Sequence, residues 1–312
     1  MLLSASSYSL RILYLIASIC FLDFDKVNSQ NVDYREITFV DSAFLEYKTY
    51  LVKDVGGGSP STWRALFLEQ VTTDTAQVAK GLIDRSPKSV SLRSMPRDML
   101  QFPVAEKKEL FFSVMGRIAK FHNNVIAERR ERLIRLLHLS NDDVFFEKMI
   151  VEYSLERVNR RIPTRTDSLH ALLNRVDYIP PSLILAQAAI ESGWGTSRFA
   201  REGNNLFGQR VWDDKIPGMK ASGRLDAKFR LAVYPNISES VKSYLRNLNT
   251  HPFYESFRAI RQAKRNRREC ILGRDLVGEI GSYSIRGEEY IADVTRIIEF
   301  NNLTKLDEEA CN

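Results

Sequence analysis

The 312-residue sequence predicts a mainly α-helical protein with one small β-hairpin lobe, preceded by an N-terminal extension. Three observations carry this. From Glu106 onward apolar residues recur at three- and four-residue intervals, the period of a helix with one buried face. A single stretch, Phe207 to Tyr234, departs from that period into short alternating runs flanked by Gly208, Gly218 and Gly223. Pro180, Pro181 and Asn236 stand where helices would begin.

Arg11 precedes the apolar run "ILYLIASICFL", which Asp23 ends. The run is too short to span a bilayer comfortably and suits the core of a secretory signal. Small residues in "VNS" place cleavage near Gln30, making residues 1–29 a signal peptide and the rest periplasmic or otherwise extracytoplasmic. The alternative is an uncleaved membrane anchor. Residues 30–104 mix short apolar pieces with "GGGSP" and prolines 87, 96 and 103. They read as an extension that is weakly ordered or partly helical, without a catalytic motif.

Residues 105–312 form the helical region, with a core at about 140–305. The first helix carries Leu110, Val114, Ile118, Phe121, Val125, Leu133, Ile134 and Leu137 as its apolar stripe. Further helices are expected at about 143–159, 167–175 and 181–192. "FGQRVW" and "KFRLAVY" form the hairpin. Asn236, with Glu239 three positions on, opens the next helix as a capping box. Two more follow at about 252–268 and 287–301.

Composition is that of a globular chain, with 44% hydrophobic and 27% charged residues, which excludes wholesale disorder. Net charge is +6, and Arg258, Arg261, Lys264, Arg265, Arg267 and Arg268 fall within one helix. For an exported chain this favours an anionic envelope surface over nucleic acid as partner. A solvated helix face is the competing reading. Once the signal is removed Cys270 and Cys311 remain, either as a disulfide or as two thiols. The four histidines have no metal-ligand spacing, so neither metal nor cofactor is expected. The chain is expected to be a monomer.

The most informative residue is Glu191, at the end of an apolar helix and followed by "SGWG". It lies seven positions beyond Ile184, which at 100° per residue puts it within about 20° of that side chain, on the buried side. It also sits in the last helical turn, where partial negative charge disfavours an anion. Both effects raise a carboxyl pKa, as a general acid requires. The structural alternative is a salt bridge to Arg198 or Arg201. Gly193 and Gly195 permit positive φ and close approach. Trp194 offers a face for a sugar ring or for the core. Asn204 and Asn205 are turn formers or amide partners for an N-acetyl sugar. Phe207, Trp212 and Tyr234 are candidates to wall a groove.

"IPPSLILAQAAIESGWGTSRFAREGNNLFGQ" followed by "VYPNISESVKSYLRNLNTHPFYESFRAIR" resembles the glucosaminidase domain of the bacterial Bax-like proteins, in the glycoside hydrolase family 73 group. The resemblance runs from about Leu100 to the end and is densest from 179 to 260. It implies a lysozyme-like helical domain with a small β lobe. It implies hydrolysis of β-1,4 bonds in peptidoglycan glycan strands by an endo-β-N-acetylglucosaminidase, with Glu191 matching the catalytic acid. A lytic transglycosylase of the same fold and a non-catalytic peptidoglycan-binding protein are the alternatives. Two positions depart from the family pattern. Where a second carboxylate is expected on the β lobe the chain has Arg230, with Asp226 the nearest carboxylate and Asp213 and Asp214 further back. The tyrosine motif reads "YSIRGEEY", keeping Tyr283 and Tyr290 with Arg286 between. Tyr283 is assigned to orient an acetamido group or a water, with core packing as its alternative. Gln187, Trp194, Asn204, Asn205, Phe207 and Tyr290 are assigned to the sugar cleft.

Overall fold

The computed structural model describes residues 33–41, 46–54, 94–95, 99–138, 142–155, 164–220 and 228–311. The signal segment, the anchor alternative and Asp226 lie outside the described residues. Within the extension, β1 (Asp33–Asp41) pairs antiparallel with β2 (Glu46–Asp54), Ile37 opposite Tyr50. The strand pair is extended structure within that segment, most of which lies outside the described residues. "YREITFV" and "YKTYLVK" are rich in β-branched and aromatic residues, which favour a strand pair.

The main body is helical. Ten helices are described: α1 (Val104–Leu136), α2 (Asp143–Glu152), α3 (Arg165–Arg175), α4 (Pro181–Ser192), α5 (Arg198–Gly203), α6 (Ile237–Thr250), α7 (Glu255–Asn266), α8 (Gly273–Leu276), α9 (Glu288–Phe300) and α10 (Thr304–Cys311). The small lobe is a three-stranded antiparallel sheet, β3 (Arg210–Val211), β5 (Arg230–Ala232) and β4 (Gly218–Met219) in that spatial order. The two expected runs pair, Arg210 opposite Leu231. The third strand is a correction to the two-stranded hairpin. It is two residues long and includes Gly218, so no alternation marks it in the sequence. A Cβ at Gly218 would lie 2.8 Å from that of Arg230, which is why a glycine stands there.

α4 is the central element, packed against α1, α8, α9 and α10. Every residue from Pro181 to Ala189 is buried. A helix enclosed on all sides must satisfy its end groups within the protein. At its N-terminus Asp307 does this, accepting from Ser182 N at 2.8 Å, from Ser182 Oγ at 2.6 Å and from Gly273 N at 2.8 Å. The disulfide Cys270–Cys311 ties down the same C-terminal helix. At the other end Gly193 is the left-handed cap, followed by Trp194 (φ 59°) and Gly195 (φ 77°). Three successive positive φ values fold the chain back, so that Trp194 N donates to Ala189 O. The glycines on either side of the tryptophan make that reversal possible.

α1 is the longest helix, with 33 residues. Its buried stripe includes His122 and Asn123. His122 Nε2 bonds Ser238 Oγ at 2.8 Å, and burial lowers its pKa to about 4, so the ring is neutral. Asn123 exchanges two hydrogen bonds with the backbone of Ile179 and so fixes the start of α4 against α1.

The arginine-rich helix α7 turns several of its cations inward. Arg261 is fully buried and donates to the carbonyls of Asn174, Asp177 and Tyr178 and to Asn249 Oδ1. Arg258 is buried and donates to Leu248 O and His251 O. Arg265 holds the buried Asp177 bidentately, and Arg130 lies 3.6 Å from the same carboxylate. Desolvation pushes the Asp177 carboxyl up, but the Arg265 hydrogen bonds and the three guanidinium charges outweigh it and hold it below the usual range. Lys264 pairs with Asp275 at 2.8 Å, and Arg267 with Glu269 at 2.6 Å. Arg261 and Arg265 brace the turn between α3 and α4, while Arg258 closes the C-terminal end of α6. We expect Arg261→Met to destabilise the fold by about 3–5 kcal/mol, because carbonyls and a buried carboxylate lose their partner. Arg268→Ala, at an exposed position, is expected to stay within about 0.5 kcal/mol. Urea denaturation of both variants checks the contrast.

Candidate active site

Glu191 emerges where α4 ends, half-buried and beside Gly208. A Cβ at Gly208 would lie 3.4 Å from Glu191 Oε2, and its φ of 65° is in the left-handed region that favours glycine. Burial raises the Glu191 carboxyl pKa above its ordinary value; the nearby hydroxyl of Tyr290 in α9 and the charges of Arg210 and Arg286 oppose the rise without cancelling it. The salt-bridge alternative does not form. Arg198 binds Lys220 O and Glu202, and Arg201 binds Thr196 O.

The segment 204–209 is held from four directions. Asn205 uses its whole amide: Nδ2 donates to Gln209 O and Ala232 O, and Oδ1 accepts from Phe207 N and Gln209 N. Leu206 N donates to Ser240 Oγ in α6. Phe207 stacks on Tyr244 with ring centroids 4.0 Å apart, and its carbonyl accepts the Tyr283 hydroxyl at 2.8 Å. Gln209 bonds Tyr234 Oη at 2.8 Å and Ser243 Oγ at 3.0 Å. The loop that presents Gly208 to Glu191 is therefore fixed to both the sheet and α6.

The residues assigned to the sugar cleft differ in exposure. Gln187, Asn205, Phe207 and Tyr290 are buried. Asn204 is the left-handed cap of α5, and its Nδ2 bonds Tyr234 O. Trp194 packs edge-on against Phe111 and Phe112, with Lys108 Nζ 4.8 Å from its ring centre. Tyr283 is half-buried and stacks parallel to Tyr290. Its hydrogen goes to Phe207 O, which leaves only oxygen lone pairs to offer. Trp212, by contrast, is 67% exposed and adjoins Phe229 on the sheet.

Arg230 does not face the acid. It braces the β3–β4 turn through Asp213 O, Ile216 O and Asp214. Among the described residues, the charged side chains acting on Glu191 are both cations. Arg210 and Tyr244 escaped the sequence reading. Alternation in "FGQRVW" was the available signal for Arg210; Tyr244 looks like any core aromatic in an amphipathic helix.

An α domain with a small β lobe set against one half-buried acid is the class that fold and site define together. Residues 167–303 match a family model, Glucosaminidase, described as mannosyl-glycoprotein endo-beta-N-acetylglucosaminidase. The chain is 38% identical over 131 residues to Protein bax of Escherichia coli K12, covering 42% of this chain and 44% of that protein. It is 32% identical over 133 residues to the peptidoglycan hydrolase FlgJ of Vibrio parahaemolyticus, covering 35% and 42%. The chain thus spans less than half the length of these curated relatives. Among solved structures, the catalytic domain of the autolysin Auto from Listeria monocytogenes matches with TM-score 0.33 and 28% identity, over 41% of this chain and 75% of that one. The expected resemblance to Bax-like glucosaminidase domains is borne out.

Because the folded state binds the Glu191 proton more tightly than the unfolded chain, stability falls as pH rises from the ordinary carboxyl value of 4.5 through the raised one. Glu191→Gln removes that penalty. Its melting temperature is expected to exceed that of the parent at pH 7, with the gap closing at pH 4, as differential scanning calorimetry would read.

Proposed function

We propose that the protein is a glycoside hydrolase of the glucosaminidase type, an endo-β-N-acetylglucosaminidase that cuts β-1,4 bonds of peptidoglycan glycan strands. The observation that carries the proposal is the environment of Glu191. Its carboxyl is raised by burial at an accessible helix end, inside the segment that matches the family model. Similarity to Protein bax and to the peptidoglycan hydrolase FlgJ supports the substrate class.

In this reading Glu191 protonates the glycosidic oxygen. The proton loss leaves a carboxylate that the Tyr290 hydroxyl and the charges of Arg210 and Arg286 stabilise, so the group is held as an acid yet can release its proton. A retaining pair of carboxylates would stand about 5–5.5 Å apart, and an inverting pair about 6.5–9.5 Å. The described residues offer no such partner, and Asp226 remains a candidate outside them. The substrate's own 2-acetamido group is then the preferred nucleophile, a recognised exception to the two-carboxylate scheme. Tyr283, whose hydrogen is engaged by Phe207 O, would accept from the acetamido N–H or from a water. Arg210, Trp212 and Phe229 would form the sheet side of the cleft.

Export through the N-terminal apolar run belongs to the same proposal, and the Cys270–Cys311 disulfide supports an oxidising compartment. A lytic transglycosylase is the second reading, favoured by the same lone carboxylate. Glu191→Gln is expected to retain the helical circular dichroism spectrum and lose about 10²–10⁴-fold in reducing-end release from purified sacculi. Full activity in that variant removes the acid. Mass spectrometry of the products separates hydrolysis, which adds water, from a 1,6-anhydro product.

A further inference from the structure

Among the described residues, Arg210 is the cation near the acid that meets no carboxylate. It follows Gly208, which abuts Glu191, by two residues, about 7 Å of extended chain. An arginine side chain spans a comparable distance, and the effect of its charge on the Glu191 carboxyl agrees with that proximity. The other arginines of this region are engaged: Arg198 with Glu202, Arg201 with Thr196 O, Arg230 with Asp214 and Arg286 with Asp293. Arg210 is exposed, and its partner is a ring, with Cζ 4.4 Å from the centre of Phe229.

The sheet accounts for this placement. Val211 Cγ2 and Arg230 Cβ lie on one face, 2.9 and 2.8 Å from where a Cβ at Gly218 would stand. Alternation puts Arg210 and Trp212 on the other face. Trp212 is 67% exposed, and its ring centre lies 6.5 Å from that of Phe229. A guanidinium stacked on a ring uses its flat side and keeps the N–H donors at its edge, in the fork that fits a carboxylate. Two aromatic rings and one cationic fork therefore share the sheet face.

We propose that Arg210 recognises the free lactyl carboxylate of the muramyl residue on the leaving side of the cut, so that the preferred strand has already lost its stem peptide there. The placement rests on the reading of Glu191 as the acid of a glucosaminidase. In a bond from N-acetylglucosamine to N-acetylmuramic acid, the oxygen to be protonated is O4 of the muramyl ring. The lactyl ether hangs from the neighbouring O3, so its carboxyl group meets whatever stands beside the acid. With a stem peptide attached that group is a neutral amide; without one it is an anion at neutral pH. An arginine fork separates the two by charge and by the second acceptor oxygen. Pairing also neutralises a cation that otherwise opposes the positive charge developing on the sugar. The class of reaction that must supply this substrate is hydrolysis of the amide between lactyl group and peptide.

The test compares soluble peptide-free glycan strands with the same strands whose lactyl carboxylates are converted to methylamides. At low substrate the full chain is expected to release reducing ends from the free acid about 10–100-fold faster, the scale of one charged hydrogen-bonded pair. Arg210→Gln is expected to bring that ratio close to one. Arg210→Lys, which keeps the charge without the fork, is expected to lower it. Arg268→Ala, which removes an exposed cation at the end of α7, is expected to leave it unchanged. Equal rates on the two preparations, or a preference that survives Arg210→Gln, overturns the proposal. So does a preference that Arg268→Ala reduces as much, which would be the general attraction of a basic protein to a polyanion. Should Arg210→Gln fail to fold, Arg210→Lys decides, and a ratio equal to the parent's overturns the proposal. Calorimetric binding of both preparations to Glu191→Gln keeps the two readings apart. If the parent cuts neither preparation, the hydrolase reading fails and binding decides. Tighter binding of the free acid, abolished by adding Arg210→Gln, upholds the recognition; equal binding overturns it.

Discussion

The structure depends on keeping α4 dry around its whole circumference. Burial of Pro181 to Ala189 supplies apolar contact to four other helices, and it leaves the helix no water with which to satisfy its polar groups. The consequences can be followed outwards. Asp307 has to reach the N-terminus from the far end of the chain, and the turn at 193–195 has to reverse within three residues. The one amide inside the helix, Gln187, has to meet two phenols. A helix so enclosed cannot slide or rotate, because its neighbours are close-packed. The backbone that carries Glu191 near its end is therefore fixed by the packing of the whole helix.

The same constraint explains the arginines. The turn from Asn174 to Tyr178 feeds α4 and would carry bare carbonyls into the interior. Arg261 closes it, planar and with five donors, in a way that lysine's compact ammonium could not. Asp177 balances part of the charge and is itself held by Arg265 and Arg130. A buried ionic cluster contributes less net stability than its geometry suggests, since desolvation offsets much of the attraction. Its consequence here is geometric. It sets α3, α7 and the start of α4 in one register, which the hydrophobic contacts alone would leave less determined.

This division between what burial demands and what polar groups arrange also marks how far the sequence could be read. The bounds of α4 were legible because a proline and a glycine mark its two ends, and the Asn236 cap of α6 because its side chain accepts from Glu239 N. The stripe of α1 was legible in period but drifted in register. Ile134 was nominated and is 42% exposed, whereas His122 and Asn123 are buried. Hydrophobicity marks an apolar face; it does not reveal a polar side chain whose partner lies 116 residues away. The burial of Arg258 and Arg261 was not legible for the same reason, since charge density along a segment does not say on which side the acceptors are. The glutamate could be singled out from its local setting. The partners of the polar residues near it were not legible, because the hydrogen bonds that hold Gln187, Asn204 and Asn205 reach across the fold to Tyr244, Tyr290, Tyr234 and Ala232.

Electrostatics then limits what the site can do. Desolvation raises the Glu191 carboxyl, and two cations and a phenol pull the other way. Burial outweighs the opposing charges, so the carboxyl stays above its ordinary value. In the proposed reaction, these cations would disfavour the positive charge that develops on a sugar ring as the glycosidic bond breaks, so stabilisation of that charge would have to come from an atom close to the anomeric carbon. The substrate's own acetamido oxygen would be covalently delivered to that position, and its attack would disperse the charge into the amide as the bond breaks. A nucleophile carried by the sugar would then let a single carboxyl serve the proposed chemistry.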